Sequence, residues 1–580
     1  MEDPLHELDQ EARSLLAQEL TPPAPPILLE TPPAGMGERA FPCFGLAKTL
    51  RQAPPEIAKH MAAKLQPFTE KSTWIGRIEA TGGYVNFHVR RDRLSQHVLE
   101  GVLRDGDAFG QFPPRPERVI LEHTSANPNG PLHVGRARNP IIGDTLARIL
   151  RKAGYKLETQ YYLDDMGKQV ALLAWGRKTL RSADLPPAQR DKVDHDLVRY
   201  YQAANERQEG NTKAQAEVQA LMHASEQGDA GVLRMFEEAY KPVLDGMLES
   251  LRRIGVSFDS FQKESEFVLN GEVDKVIDRL ATTPLSRKET DGALFLDLST
   301  RGIQGRSQRF VYRRRDGTSL YATRDVAYHF WKAARADRLV NVLGEDHKLQ
   351  AQQVRICLEL LECKVIPEVV FYAFVSLPEG KMSTRRNRVV FLDDLVDEAV
   401  ELAYEEVKKR RGDELDEPRM RRIAEAVGVG ALRYNIVRVQ PEKGIVFKWE
   451  EALNFEGASA PFLQYAHTRC VSILRKAGTR PRWSAGLGRL VTHPSEHELL
   501  YHIARLPRVV DEASNKDAPH LLAGYSQELA GALSGFYRDC AVLTAESATL
   551  RDARLLVVEA ARIALKNTLD LLGIPAPDEM

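Results

Sequence analysis

His133 and Arg136 stand either side of Gly135 in LHVGRARNP (132–140), and a second polar, cationic run, PEGKMSTRRNRVVF, occupies 378–391. Both clusters suit phosphate. Gly135 has no Cβ, so a flat group can lie against the backbone there, while an imidazole and a guanidinium on either side can each aim a donor at an oxyanion. The apolar run VILEH precedes the first cluster and an amphipathic helical pattern follows it. The turn therefore falls where a strand hands over to a helix N-terminus, whose free N–H groups and dipole favour anions. Pro140 is tolerated only in a first helical turn, which predicts a helix that starts just before it. The second cluster follows VVFYAFVSL, and Lys381, preceded by a glycine, has the reach of a mobile cation. Neither cluster is specific alone: Asn127 to Pro131 also reads as an ordinary turn, and GKMS as a solvated surface lysine.

Such clusters need a parallel sheet to bring them together. From Val119 the chain reads strand, turn, long helix, strand (VILEH, HVGRARNPIIGDTLARILRKAGY, LETQYYL), a βαβ unit. The alternation resumes with GALFLDL, VNVLGEDH, QVRICLELL and VVFYAFVSL and ends near FLDDLVDEA. This predicts a Rossmann-type α/β domain over 113–395, with its ligand beyond the carboxyl ends of the strands. Within it, 176–288 is polar, rich in Gln and Glu and helical in pattern, and reads as a helical insertion. Residues 1–112 read as a small α+β domain with two helices and two strands in TWIGRIEATGGYVNFHV, turning at Gly82-Gly83; ILLE is either linker or edge strand. From 396 to 580 helical patterns dominate, predicting an all-α bundle.

With 580 residues the chain exceeds one hydrophobic core, and 43% hydrophobic content suits ordinary globular packing. A net charge of -1 shows no bulk attraction for nucleic acid, and the basic runs at 408–411 and 419–422 read first as solvated helix faces. Five cysteines without CxxC spacing argue against a disulfide framework or a zinc site. The acidic start lacks the features of a signal peptide and no apolar run reaches about 18 residues, so a cytoplasmic protein without membrane association is expected.

Jointly, SANPNGPLHVGRARN and GKMSTR resemble the two signatures of class I aminoacyl-tRNA synthetases. GERAFPCFGLAK, DDMGKQ, DGTSLYATRDVAYH, GEDH, PFLQYAHTRC and LDLLGIPAPDEM narrow the resemblance to the arginyl-tRNA synthetase family. Two positions depart from the class signatures: Arg136 stands where a histidine is usual, and Thr384 where a lysine is.

The resemblance implies L-arginine, ATP with accompanying Mg²⁺, and tRNA(Arg) as partners, with no metal site of the protein's own; a monomer is expected. It implies catalysis by His133, Arg136, Lys381 and Ser383, and ATP contacts from Pro131, His133, Gly135, Arg136, Gly344, Lys381, Met382 and Ser383. Arginine would meet Glu122, Asn127, Tyr321, Asp325 and His347. A guanidinium calls for carboxylates in fork geometry, and Tyr321 and Asp325, four apart, would share one helix face; the plainer alternative pairs Asp325 with Arg324 or the helix dipole. Expected tRNA contacts are Asn86 and Phe87 in the N-terminal domain, and Gln464, Tyr465, His467 and Arg469 in the bundle, where Phe462 and Tyr465 also read as core. A cysteine-type synthetase is disfavoured by the absence of a thiolate cluster. A non-catalytic relative would have lost His133, Gly135 or Lys381, and a small nucleotidyltransferase has no use for the long helical C-terminal region.

Overall fold

The computed structural model describes residues 3–20, 26–33, 35–303, 308–376 and 390–580. Alternating apolar residues near the N-terminus build an antiparallel sheet from β1 (Arg39–Pro42), β2 (Ile75–Thr81) and β3 (Tyr84–Val89), with β3 central. Gly82 takes φ 55 in the tight β2–β3 turn, a conformation that favours glycine. Helices Pro4–Glu19 and Pro54–Leu65 contribute Leu5, Leu8, Ile57 and Leu65 to the core that also holds Val85 and Phe87. Phe87 and Asn86 are therefore interior residues, 0% and 1% exposed, and not the surface contacts expected for RNA. ILLE supplies a single bridge, Glu30 to Ala40.

The central sheet has five parallel strands: β4 (Arg118–Glu122), β5 (Lys156–Leu163) and β6 (Ser260–Lys263), then β10 (Arg338–Gly344) and β11 (Glu368–Tyr372), in the order β11-β10-β4-β5-β6. Between them in sequence, β7 (Ser286–Lys288), β8 (Leu294–Asp297) and β9 (Arg309–Arg313) form a separate antiparallel sheet. One reading is thereby corrected and another refined. The segment 176–288 is largely helical, and it also returns β6 to the sheet edge; SFQK is too short and polar to show an apolar run. GALFLDL does not resume the parallel sheet, because hairpin partners on both sides claim β8.

The helix after β4 runs Arg138–Lys152, two residues ahead of Pro140. Insertion helices Val193–Gln208, Thr212–Glu226 and Ala230–Arg253 pack on one another and on the helix Lys168–Thr179. The C-terminal bundle includes Glu417–Val437, Ala460–Ala477, His520–Asp539 and Ala548–Leu572, and is tied to the sheet domain by a short parallel pair, β12 (Val375–Ser376) with β13 (Ile445–Val446). The basic runs lie on helix faces with local acids: Arg411 and Arg419 meet Glu579, and Arg421 meets Glu401 and Glu417. All five cysteines are free thiols. No helix among the described residues is long and apolar enough to cross a membrane.

Two buried guanidinium groups hold Arg138–Lys152 against the bundle. Arg138, fully buried, donates to the carbonyls of Ala373, Lys443, Gln440 and Val439 at 2.8, 2.7, 2.8 and 3.3 Å. Arg433 donates to Asp144 Oδ2 at 2.6 Å and to the carbonyls of Ile254 and Leu572 at 2.6 and 2.9 Å. Removing one partner of a buried ion pair costs on the order of 3 kcal/mol, because the other charge stays desolvated. Arg433→Ala is therefore expected to lower the thermal unfolding midpoint clearly, and the double variant Arg433→Met/Asp144→Leu to recover part of that loss.

Candidate active site

A cleft of about 470 Å³ opens at the carboxyl ends of β4 and β10 and is lined by Glu122, Asn127, Arg136, Tyr321, Asp325, Gly344 and His347, among others. Its wall begins where β4 ends. Thr124 and Ser125 take φ 69 and 38, a left-handed conformation that non-glycine residues adopt at a cost of about 1–3 kcal/mol each. Local bonds offset it: Thr124 N–H donates to Asn139 Oδ1 at 2.7 Å, and Ser125 Oγ donates to Glu122 Oε1 at 3.1 Å and accepts from Tyr162 N–H at 3.0 Å. Asn127 and Asn129 both donate to Gln169 Oε1, at 2.9 and 2.8 Å, so DDMGKQ supplies a brace for the turn.

The turn that carries His133, Gly135 and Arg136 follows. His133 Nδ1 accepts from Gly135 N–H at 3.0 Å, which leaves Nε2 as the ring's donor. Burial first, and then Arg136, hold the imidazole below its ordinary 6.5, so it is neutral at pH 7. Arg136 is exposed and lines the cleft, whereas Pro131, His133 and Gly135 form the adjoining turn. Lys381, Met382, Ser383 and Thr384 lie outside the described residues. The chain on their C-terminal side is fixed against the same turn: Val134 N–H donates to Val390 O at 3.1 Å, and Leu392 N–H to Leu132 O at 2.8 Å. Insertion residues secure that segment. Asp393 accepts from Lys192 Nζ at 3.0 Å, Ser250 Oγ at 2.8 Å and His195 Nε2 at 3.0 Å. Asp194, His195 and Asp393 could geometrically hold a cation, but Lys192 Nζ is already bonded to both carboxylates.

Elsewhere on the cleft wall, Tyr321 opens the helix Tyr321–Ala333 and Asp325 follows one turn on. Both line the cleft. Asp325 does not pair with Arg324, which instead meets Glu226 at 2.6 Å and Glu264 at 3.5 Å. Burial would raise the Asp325 carboxyl, but His329 at 3.1 Å, with Lys332 and His347, outweighs it and holds the group below its ordinary value. Glu122 is less free than its sequence suggests: Oε2 accepts from the fully buried Lys332 at 2.8 Å. Opposite, burial and then Asp164 push the Glu264 carboxyl well above its usual range.

The expected RNA contacts in the bundle divide. Gln464 and His467 are buried: Gln464 donates to Ala426 O and Pro575 O, and His467 Nδ1 meets Pro577 O at 3.1 Å, so both are spent on seating the C-terminal segment. Tyr465 is exposed, and the Arg469 guanidinium lies 4.8 Å from its ring centroid and 4.5 Å from that of Tyr537.

A glycine-bearing turn after β4, a cleft lined by both cations and carboxylates beside it, and a C-terminal helical bundle are the arrangement that class I aminoacyl-tRNA synthetases are expected to have. Family models show that class: the class I (R) tRNA synthetase catalytic domain matches residues 99–449, the DALR anticodon binding domain 463–580 and the arginyl tRNA synthetase N-terminal domain 6–89. The chain belongs to the arginyl-tRNA synthetase family. It is 48% identical to an arginine–tRNA ligase of Methanocella arvoryzae, over 93% of this chain and 92% of the relative. Identity to that of Methanosarcina barkeri is 43%, over 94% of each. Thermus thermophilus arginyl-tRNA synthetase superposes with a TM-score of 0.82 at 29% identity, covering 100% of both chains.

His123, at the start of the strained wall, packs so tightly on the Arg138–Lys152 helix that a Cβ at Gly143 would lie 2.2 Å from its ring. Burial pushes its imidazole down to about 4. The unfolded chain binds a proton near 6.5 and the folded chain does not, so this contribution is intact above pH 6.5 and is lost as pH falls toward 4. The loss reaches about 2 kcal/mol at pH 5. His123→Gln is expected to show a smaller drop in thermal midpoint between pH 7 and pH 5 than the parent protein.

Proposed function

We infer that the protein ligates L-arginine to tRNA(Arg) at the expense of ATP, releasing AMP and diphosphate, as a translation enzyme. The observation that carries this reading is the pairing, in one cleft, of the Arg136 cation beside the phosphate turn with the ionised Asp325 carboxylate beneath Tyr321. In the first step an arginine carboxylate oxygen attacks the α-phosphorus of ATP, the bond to the bridging oxygen breaks and pyrophosphate leaves, giving arginyl-adenylate. In the second, the 2′-hydroxyl of the terminal adenosine attacks the arginyl carbonyl and AMP departs.

Both steps gather charge on phosphate oxygens, so fixed donors and cations matter more than a protein nucleophile. His133 Nε2–H and Arg136 are the fixed donors in this reading, Lys381 and Ser383 close on the leaving pyrophosphate, and Gly344 leaves room for the nucleotide. Mg²⁺ arrives with ATP as part of the substrate. Glu122, Asp325 and Tyr321 take the guanidinium, Glu122 while sharing Lys332, with Asn127 and His347 at the α-amino and carboxylate end. Tyr465 and Arg469 offer a stacking surface for an unpaired anticodon base. The reading has the protein act as a monomer in the cytoplasm.

Charging of total tRNA with each labelled amino acid tests it directly. Arginine alone should be incorporated, and incorporation of another amino acid at a comparable rate would overturn it. Lys381→Ala is expected to slow arginine-dependent pyrophosphate exchange by about 100-fold or more, and near-normal exchange would remove Lys381 from the mechanism.

A further inference from the structure

Beneath the amino-acid end of the cleft, Asp325, His329 and Lys332 occupy one face of the helix Tyr321–Ala333, and Asn341 of β10 stands between the last two. Lys332 Nζ is 2.8 Å from Glu122 Oε2 and 3.0 Å from Asn341 Oδ1, and 4.2 Å from the Tyr328 ring centroid. Asn341 Nδ2 is 2.8 Å from His329 Nε2, and His329 Nδ1 is 2.8 Å from Asp325 O and 3.1 Å from Asp325 Oδ1. Lys332, His329 and Asn341 are all buried.

The chemistry of the groups fixes the direction of every bond. An ammonium can only donate, so the oxygen of Asn341 must face Lys332 and its NH₂ must face His329. That NH₂ can only donate, so His329 Nε2 must accept, and the ring proton sits on Nδ1, directed at Asp325. The donors thus run one way from Lys332 to Asp325.

We propose that Lys332, Asn341 and His329 are positioning residues that set the charge selectivity of the cleft. Lys332 neutralises Glu122, and the Nδ1–H of His329, directed at Asp325, orients that residue toward the cleft. Of the two carboxylates that end this chain of donors, only Asp325 then faces the side chain of the substrate without a lysine partner. Were Lys332 absent, two carboxylates would face a single cation; were the His329 ring reversed, a lone pair would face Asp325. The proposal rests on the reading of this cleft as the arginine site.

The relay is tested by ¹⁵N-histidine NMR of the full-length protein, with the His329 signals assigned by their loss in His329→Gln, together with aminoacylation kinetics. The expected tautomer is Nδ1–H in the parent protein and Nε2–H in Asn341→Asp, where lysine and ring both donate to the new carboxylate. Asn341→Asp and His329→Leu should each raise the KM for arginine by about tenfold or more, with the KM for ATP unchanged. His329→Gln, whose amide can accept from Asn341 and donate to Asp325, should stay within about threefold of the parent. An Nε2–H parent ring, a parent-like arginine KM in Asn341→Asp, or equal losses in His329→Gln and His329→Leu would overturn the relay. A parent protein with the Nδ1–H ring that charges no arginine would instead overturn the substrate reading on which the relay is placed.

Discussion

A buried guanidinium without a carboxylate sets the frame. Arg138 lies two residues past Arg136 and spends its donors on carbonyls from the end of the sheet (Ala373) and from the connection into the bundle (Val439, Gln440 and Lys443). Burial draws its pKa down only to about 10, so it remains charged, and a desolvated charge requires all those partners at once. The turn at His133–Arg136, the last strand of the sheet and the root of the helical bundle are thus fixed relative to one another by one side chain. Packing alone would tolerate small slips between these elements; a multiply bonded cation does not.

The cleft inherits that rigidity and divides by charge. One end presents donors and cations around a helix start, and the other presents a carboxylate backed by a buried polar network. Strain is concentrated between the two ends, at Thr124 and Ser125, where the backbone must turn sharply to leave Glu122 on the strand and bring Asn127 over the cleft. The helical insertion contributes to the same geometry from outside, since Lys192, His195 and Ser250 grip Asp393 just after the second signature.

Much of this was legible in the residue pattern. Helix and strand periods, Pro140 and the Gly82 turn located the βαβ unit, the N-terminal hairpin and the bundle, because each signal is local. What escaped notice depended on tertiary context. SFQK became a strand only because β5 offers it an edge, and GALFLDL went to a different sheet because its hairpin partners lie nearer. Gln464 and His467 looked like polar readers of a base, yet the carbonyls of the C-terminal segment claim them, and Asn86 and Phe87 alternate correctly for a strand that happens to be covered on both faces. Lys332 was missed although its spacing from Asp325 and His329 places all three on one helix face, since a lysine in an amphipathic helix reads as solvated until its burial is known.

The return of β6 to the sheet makes the inserted region something other than a removable module. Its chain leaves after β5, builds its helices and comes back to cover the flank of β5 with backbone hydrogen bonds before departing again. Excising the whole region would bare the N–H and C=O row of β5 beside the cleft, leaving an open edge available to another chain. Shortening between the helices spares that edge, so variation in length can accumulate at the outer tips while the points of departure and return stay where they are.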